Sequence, residues 1–344
     1  MADRHRVLGV VGTFVLDRIV GLPGRPTSEE GLGGLAYTLA GAGAALPAGW
    51  RLRPLARVGA DVVERVRNWL RDAGLDPGGI VQVPEPNNRV ELHYVDDARR
   101  VERLRGGVGG WQGSDLVRAA SDCDALLVNF ISGHELGLDE ALVVREGFVG
   151  PIYADLHSLF LGMSDDGTRS PRPLPSWSRW MTCFDAVQLN AAEMDLLRLD
   201  HPVDRMALRM MECGPGLVTC TLGAAGAVCW SMDVGGERGG APRGGGPGDR
   251  EKTFPSSARR HGRRVIGRAL PGYPGDEPDP TGCGDVFAGV MCCRRLGGDD
   301  VPRAGRLASR LAAAAAERTG VEGLAGQLRA LARNVEVNAP EEDP

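Results

Sequence analysis

The sequence predicts an α/β fold, a three-layer αβα sandwich with a mostly parallel central sheet and a small β-strand lid. Three observations carry this. Short apolar runs rich in branched residues alternate with stretches of helical length along the 344 residues. Several of these runs, such as Arg6–Thr13 (RVLGVVGT) and Ala125–Phe130 (ALLVNF), are apolar almost without a break, as strands covered on both faces are. One segment, Asn87–Leu104, instead alternates Val90, Leu92 and Tyr94 with polar residues, so it belongs to a sheet with one wet face.

Taken in order, Arg6–Thr13 is a buried strand, and Phe14–Leu32, polar with Gly and Pro, reads as a loop or edge excursion. Gly34–Leu46 is rich in Ala and Gly and reads as a closely packed helix. Leu52–Val58 is a strand, followed by an amphipathic helix over Asp61–Ala73 that Gly74 stops. Asn87–Leu104 is a β-hairpin turning at Asp96–Asp97. Ala125–Phe130, Ile152–Asp155, Ala186–Leu189, Gly216–Thr221 and Ala227–Met232 are strands, with helices over Leu138–Arg145 and Ala191–Leu199. Gly235–Arg268 is Gly- and Arg-rich and reads as a solvated insertion rather than a nucleic-acid patch, since Phe254 is its one aromatic residue. Helices over Val286–Leu296, Pro302–Arg318 and Val321–Val335 close the chain. Pro302 suits a first helical position, where its missing N–H costs nothing. A single domain over residues 1–335 is expected, with lid segments at 14–32 and 87–107 and an acidic, disordered tail at 336–344.

Composition excludes several classes. A net charge of −5 gives no electrostatic reason to expect nucleic acid or an anionic membrane as partner. The eight cysteines form no CxxC and no Cys/His ligand spacing, and most lie in apolar runs as small core residues. No apolar run approaches the roughly 18 residues of a membrane span, and the N-terminal run is too short for a signal peptide, so a reduced cytoplasmic setting is expected. Lys252 is the only lysine, and Glu251 stands where a Walker loop needs glycine. A GxGxxG after the first strand, an HExxH and a GxSxG are all missing. The one-sided flap leaves an apolar face to cover, which points to a homodimer through the lid.

DPTGCGDVFAGVM (Asp279–Met291) carries the chemistry. Gly282 and Gly284 permit tight, left-handed turns. The N–H groups of Gly282, Cys283 and Gly284 then converge at a helix N-terminus, where unsatisfied donors and the helix dipole attract an anion. Beside this nest, Asp285 is placed to take a proton from a hydroxyl that attacks a bound phosphate. The competing reading, an Asp that merely caps a helix, is worth roughly 0.5–2 kcal/mol of stability.

These residues resemble the second signature of the PfkB, or ribokinase-like, family of carbohydrate and nucleoside kinases, D-[TP]-T-G-[AC]-G-D, which Asp279–Asp285 match in full. The resemblance implies an ATP-dependent kinase acting on a hydroxyl of a small sugar or sugar-like substrate, with Asp285 as base and the Gly282–Gly284 amides as anion hole. It covers nearly the whole chain. Asp17 falls where members bind substrate hydroxyls, and Gly33–Ala40 (GGLAYTLA) is similar to the first signature, GGxxxNxA, which brings Gly33, Gly34 and Thr38 to the substrate. Gly59 and Asp61 (VGAD) resemble the family's VGxD. Asn190 and Glu193 match NxxE, which implies Mg²⁺ held through water by Glu193 near the ATP phosphates. Thr221, Gly223 and Gly226 (TLGAAG), with Asp279 and Thr281, are implied on the nucleotide side.

Departures fall on the substrate half. The family's Asn is Thr38, a shorter side chain with a smaller hydrogen-bonding set. The strand ending at Asp155 continues ADLHS, leaving His157 as substrate contact or surface histidine. Asn129–Glu135 (NFISGHE) lies where many members touch substrate. A nucleoside kinase and a non-catalytic sugar-binding sensor therefore stand as alternatives, and in each case the expected partner is a small sugar or nucleoside.

Overall fold

The structure is a computed structural model describing residues 5–20, 30–94, 100–232, 265–273 and 280–337. Its strands in chain order are β1 (Arg6–Val11), β2 (Phe14–Val20), β3 (Gly31–Gly34), β4 (Trp50–Gly59), β5 (Ile80–Val83), β6 (Arg89–Tyr94), β7 (Arg100–Arg105) and β8 (Ala125–Asn129). They continue with β9 (Ile152–Asp155), β10 (Leu161–Met163), β11 (Thr168–Pro171), β12 (Ala186–Asn190), β13 (Leu217–Thr221), β14 (Ala227–Met232) and β15 (Val265–Leu270). The helices are α1 (Leu35–Ala45), α2 (Val63–Asp72), α3 (Gly113–Ala119), α4 (Leu138–Gly147), α5 (Trp177–Thr182), α6 (Ala191–Arg198), α7 (Val203–Cys213), α8 (Cys283–Leu296), α9 (Val301–Ala316) and α10 (Leu324–Val337).

The central sheet runs β15-β14-β13-β12-β9-β8-β1-β4-β5. From β13 to β5 the pairs are parallel, and β14 and β15 add antiparallel edge strands. β8 and β9 are buried along their whole length, as their unbroken apolar runs require. On one face α1, α2, α8, α9 and α10 pack through residues such as Leu35, Val66, Val290, Leu311 and Leu328. On the other, α3 to α7 pack through Leu116, Ala141, Trp180, Met194 and Met206. The expected three layers are present. From β1 the chain builds outward to β4 and β5, then returns to place β8 on the other side of β1. The strand order thus reverses between β1 and β8, which in open α/β sheets marks where ligands bind.

A second sheet, ordered β10-β11-β7-β6-β2-β3, forms the lid. The expected hairpin is there, with Val90 opposite Leu104 and Tyr94 opposite Arg100; its Asp96–Asp97 turn lies outside the described residues. Four expectations need correction. Phe14–Leu32 contributes two strands rather than a loop, because Phe14, Val15 and Leu16 are buried and β2 pairs with β6. The end of the Gly/Arg-rich stretch is β15, paired with β14 along Val265–Leu270, while residues 235–264 lie outside the described residues. α10 reaches Val337, into what was read as tail. Pro302 is the second helical residue, behind an Asp300 cap that accepts from the Arg303 amide at 2.8 Å. The lid's apolar residues Val90, Leu92 and Leu104 are buried within the chain itself, so an uncovered face gives no argument for a dimer.

Candidate active site

The N-terminus of α8 opens onto a cleft of about 320 Å³ between the carboxyl edge of the central sheet and the lid. Gly282 caps it with φ 80°, a left-handed conformation that glycine adopts without strain. A methyl group there would also sit 2.3 Å from the Tyr37 ring, so α1 excludes a larger residue. Gly284 differs from expectation: it lies inside the helix without a positive φ. A methyl at Gly284 would meet nothing within 4 Å, so this glycine presents bare backbone to the cleft. Among the described residues the Gly282 and Gly284 amides make no hydrogen bond. The Cys283 amide is turned to the Pro280 carbonyl at 3.3 Å, closing a turn. The nest is therefore built mainly from the two glycine amides and the helix dipole.

Asp285 lines the same cleft. Its Oδ1 accepts from Nδ2 of Asn129, at the carboxyl end of β8, at 2.6 Å. The other hydrogen of that amide goes to the Thr38 hydroxyl at 2.7 Å. Thr38 is wholly buried and does not line the cleft. The hydroxyl of this shorter side chain meets Asn129 and not the open cleft. Burial pushes the Asp285 carboxyl up to about 6; the Asn129 hydrogen bond and the charge of His157 act against the rise, and Glu135 adds to it. Behind it, Gln188 Nε2 bridges Asp155 Oδ2 at 2.7 Å and the Gly284 carbonyl at 2.9 Å, tying β9, β12 and the first turn of α8 together. Asp155 is raised well above the usual carboxylate range by burial and by Asp285.

At the carboxyl end of β12, Asn190 and Glu193 form a complete capping box for α6. Asn190 Oδ1 accepts from the Glu193 amide at 2.9 Å, and Glu193 Oε2 from the Asn190 amide at 2.8 Å. Capping does not consume the carboxylate, which still lines the cleft. Its Oε1 also meets Nδ1 of His157 at 2.7 Å. Burial alone would lower the His157 pKa, but Glu193, then Asp155 and Asp285, raise it to about 9. Half of the imidazole is open to water, which tempers that effect without changing its direction. Thr221 and Gly223 line the cleft; Gly226 does not, but joins them around an adjoining recess of about 130 Å³ walled by Ala224, Phe287, Ala312 and Ala316. Thr281 lines the cleft and Asp279 lies outside the described residues.

On the lid side Asp17 and Gly34 line the cleft. Gly33 acts by having no side chain, since a methyl group would fall 1.8 Å from Asp17 Oδ2. Asp61 stays away from the cleft: it accepts from the Asn87 amide at 2.9 Å and pairs with Arg89 at 2.8 Å, bracing the hairpin.

The sequence reading singled out neither Asn129 individually nor Gln188, Glu102 and Arg169. Arg169 and Glu102 pair at 2.7 Å in the cleft wall, and Arg169 also donates to the Ile131 carbonyl at 3.3 Å. A signal for Arg169 existed, because Asp166–Gly167 is a hairpin dipeptide and Gly167 has φ 83°. Within NFISGHE, Glu135 is structural: it collects the Thr13 hydroxyl and the amides of Ile131, Ser132 and Gly133.

Fold and cleft together define a class: three-layer α/β proteins with a β lid over the switch point of a mostly parallel sheet. The sequence matches no protein-family model, and no curated protein matches it. Solved structures do. A Burkholderia thailandensis nucleoside kinase in complex with inosine is 17% identical with a TM-score of 0.64, covering 97% of this chain and 100% of that one. Arabidopsis thaliana ribokinase complexed with ribose and ATP is 16% identical at 0.64, covering 95% and 98%. A pyrophosphate-dependent kinase in the ribokinase family is 16% identical at 0.65, covering 91% and 96%. The chain has the ribokinase-like fold.

Proposed function

We propose that this chain is an ATP-dependent kinase that phosphorylates a hydroxyl of a small sugar or sugar-like substrate. The observation that carries the reading is the placement of Asp285 beside the open amides of Gly282 and Gly284 at the N-terminus of α8, inside a lidded cleft. Phosphoryl transfer needs positioning, charge stabilisation and an acceptor for the hydroxyl proton, and this corner supplies all three. The acceptor hydroxyl lies between Asp17 and Asp285; Asp285 orients it and takes its proton as its oxygen bonds to the γ-phosphorus and the bond from that phosphorus to the bridging oxygen breaks, ADP leaving with the electron pair. The helix terminus stabilises charge on the transferring group.

The recess beside Thr221 and Gly226 supports a nucleotide donor. Its walls are mostly apolar, with Ala224, Ala312, Ala313 and Ala316 beside Phe287, which would suit a nucleobase, and pyrophosphate would leave it empty. Among the described residues no three His, Cys, Asp or Glu side chains are grouped to hold a metal ion. The donor set fits a Mg²⁺ carried on the triphosphate and reached through water by Glu193, whose charge His157 partly offsets; such an ion would shield the negative charge of the phosphates. A nucleoside acceptor is the second reading, favoured by the apolar wall of Val15, Val90, Leu92 and Ile131.

The test measures transfer from labelled ATP, with pyrophosphate as rival donor, to a panel of pentoses, hexoses and nucleosides. Asp285→Asn should lose at least about a thousandfold in turnover while ATP binding stays within a few-fold. Near wild-type turnover in that variant refutes the assignment; sugar binding without transfer by the native chain favours a sensor.

A further inference from the structure

Asn129 stands at the carboxyl end of β8, the strand at which the sheet order reverses, and has no surface exposed to solvent. Both hydrogens of its side-chain amide are used, one on Thr38 of α1 and one on Asp285 of α8, residues 91 and 156 positions away. Its Oδ1 is buried and has no partner among the described residues. A buried amide placed only for packing would satisfy both ends, because an orphaned acceptor costs stability. Here the oxygen is left over and the nitrogen fully committed, with one hydrogen on the candidate base. The orientation is also fixed chemically: an ionised carboxylate only accepts, so it must face the NH₂ end.

We propose that Asn129, locked in place by the Thr38 hydroxyl, is a positioning residue that aims the Asp285 carboxylate at the cleft and favours its proton-accepting form. This inference rests on the kinase reading above. The chain carries Thr38 where an amide is expected, and strand β8 delivers an amide to that spot instead. Groups of both signs face Asp285 from the surrounding elements. His157 and Asp155 lie at the end of β9, Glu135 in the loop after β8, and Glu193 on α6 behind His157. Gln188 of β12 reaches the carbonyl next door. Against that background Asn129 is the neutral donor in direct contact with the carboxylate.

The experiment follows the Asp285 carboxyl by ¹³C-aspartate NMR, assigned by difference from Asp285→Asn, in the full chain and in three variants. Asn129→Leu removes the donor while keeping the branched four-heavy-atom side-chain skeleton. Thr38→Val removes the lock, and Thr38→Ser retains it. The expected result is a titration moved upward by about one pH unit in Asn129→Leu, less in Thr38→Val and not at all in Thr38→Ser. The acid limb of kcat/KM, measured with ATP and ribose or inosine as probes, should move with it. That is about a twofold loss at pH 7 and about tenfold at pH 5. An unmoved carboxyl titration in both Asn129→Leu and Thr38→Val overturns the proposal, as does an activity loss with an unmoved acid limb. Should Asn129→Leu not fold, Thr38→Val decides alone. A moved titration in a chain that transfers no phosphate supports the Asn129–Asp285 contact and removes the kinase reading instead.

Discussion

The carboxyl of Asp285 is free to titrate near 4 in the unfolded chain and near 6 in the folded one. Between those values the folded state holds a proton that the unfolded state has released, so stability falls as pH rises through the window and stays lower above it. At neutral pH the ionised carboxylate, the base of the proposed reaction, is therefore a strain on the fold, as functional groups in desolvated sites often are. Asp285→Asn should remove that strain while abolishing turnover, giving a gain on the order of 1–3 kcal/mol at pH 7.5 that shrinks toward pH 4. Thermal melts of both proteins across that range check it. Equal stabilities at pH 7.5 would mean that the carboxylate is better solvated than its surroundings indicate. His157 adds a second decline of the same sign in a different window, from about 6.5 to about 9, as its pair with Glu193 loses its charge.

Helix α1 and helix α8 owe their close approach to glycines. A methyl on Gly289 would lie 2.4 Å from the Thr38 carbonyl oxygen, and one on Gly41 would lie 2.5 Å from that of Val286. Both obstacles are backbone, which cannot swing aside. Gly289→Ala gains at most about 1 kcal/mol in helix propensity but must push the two helices apart, which typically costs 1–3 kcal/mol. We expect a net loss of stability and a larger loss of kcat than of acceptor binding, because the shift carries Asp285 away from Asn129. A melt and a kcat/KM comparison measure both parts; an unchanged kcat would show that the helix spacing does not set the base.

Half of this contact was legible, since the Ala- and Gly-rich stretch Gly34–Leu46 announces a closely packed helix, but which helix partners it was not. The Ala125–Phe130 run that holds β8, the hairpin and the Asp285 turn were legible too, each being a local pattern. The α7 helix is equally open to reading, with Met206, Ala207, Met210 and Met211 buried on one face at helical spacing. Asn129 was not legible as a partner of Asp285: one asparagine at a strand end carries no periodicity, and its meaning arises only when β8 and α8 meet.

At the scale of the whole molecule, the lid must be fastened to the sheet it covers, and Arg169 is a fastening. It sits on β11, with a side chain 3% exposed, and reaches Glu102 on β7 and the Ile131 carbonyl at the sheet edge. The pieces joined are a lid hairpin, a lid strand and the loop after β8, so the link crosses between the two sheets. β11 is faint in the sequence because it is four residues long and ends in Pro171, too short to show alternation. Removing one member of a buried pair leaves the other charge uncompensated, whereas replacing both with apolar groups of similar volume is often tolerated. Arg169→Met should therefore destabilise the protein, and the double replacement with Glu102→Met should restore much of that stability. If the pair only holds the lid, acceptor KM recovers along with the melt. Because Arg169 and Glu102 also line the cleft, we expect KM to stay raised by about tenfold in the double variant, with kcat far less affected. Full recovery of both quantities would reduce the pair to a fastening and place acceptor recognition elsewhere on the cleft wall.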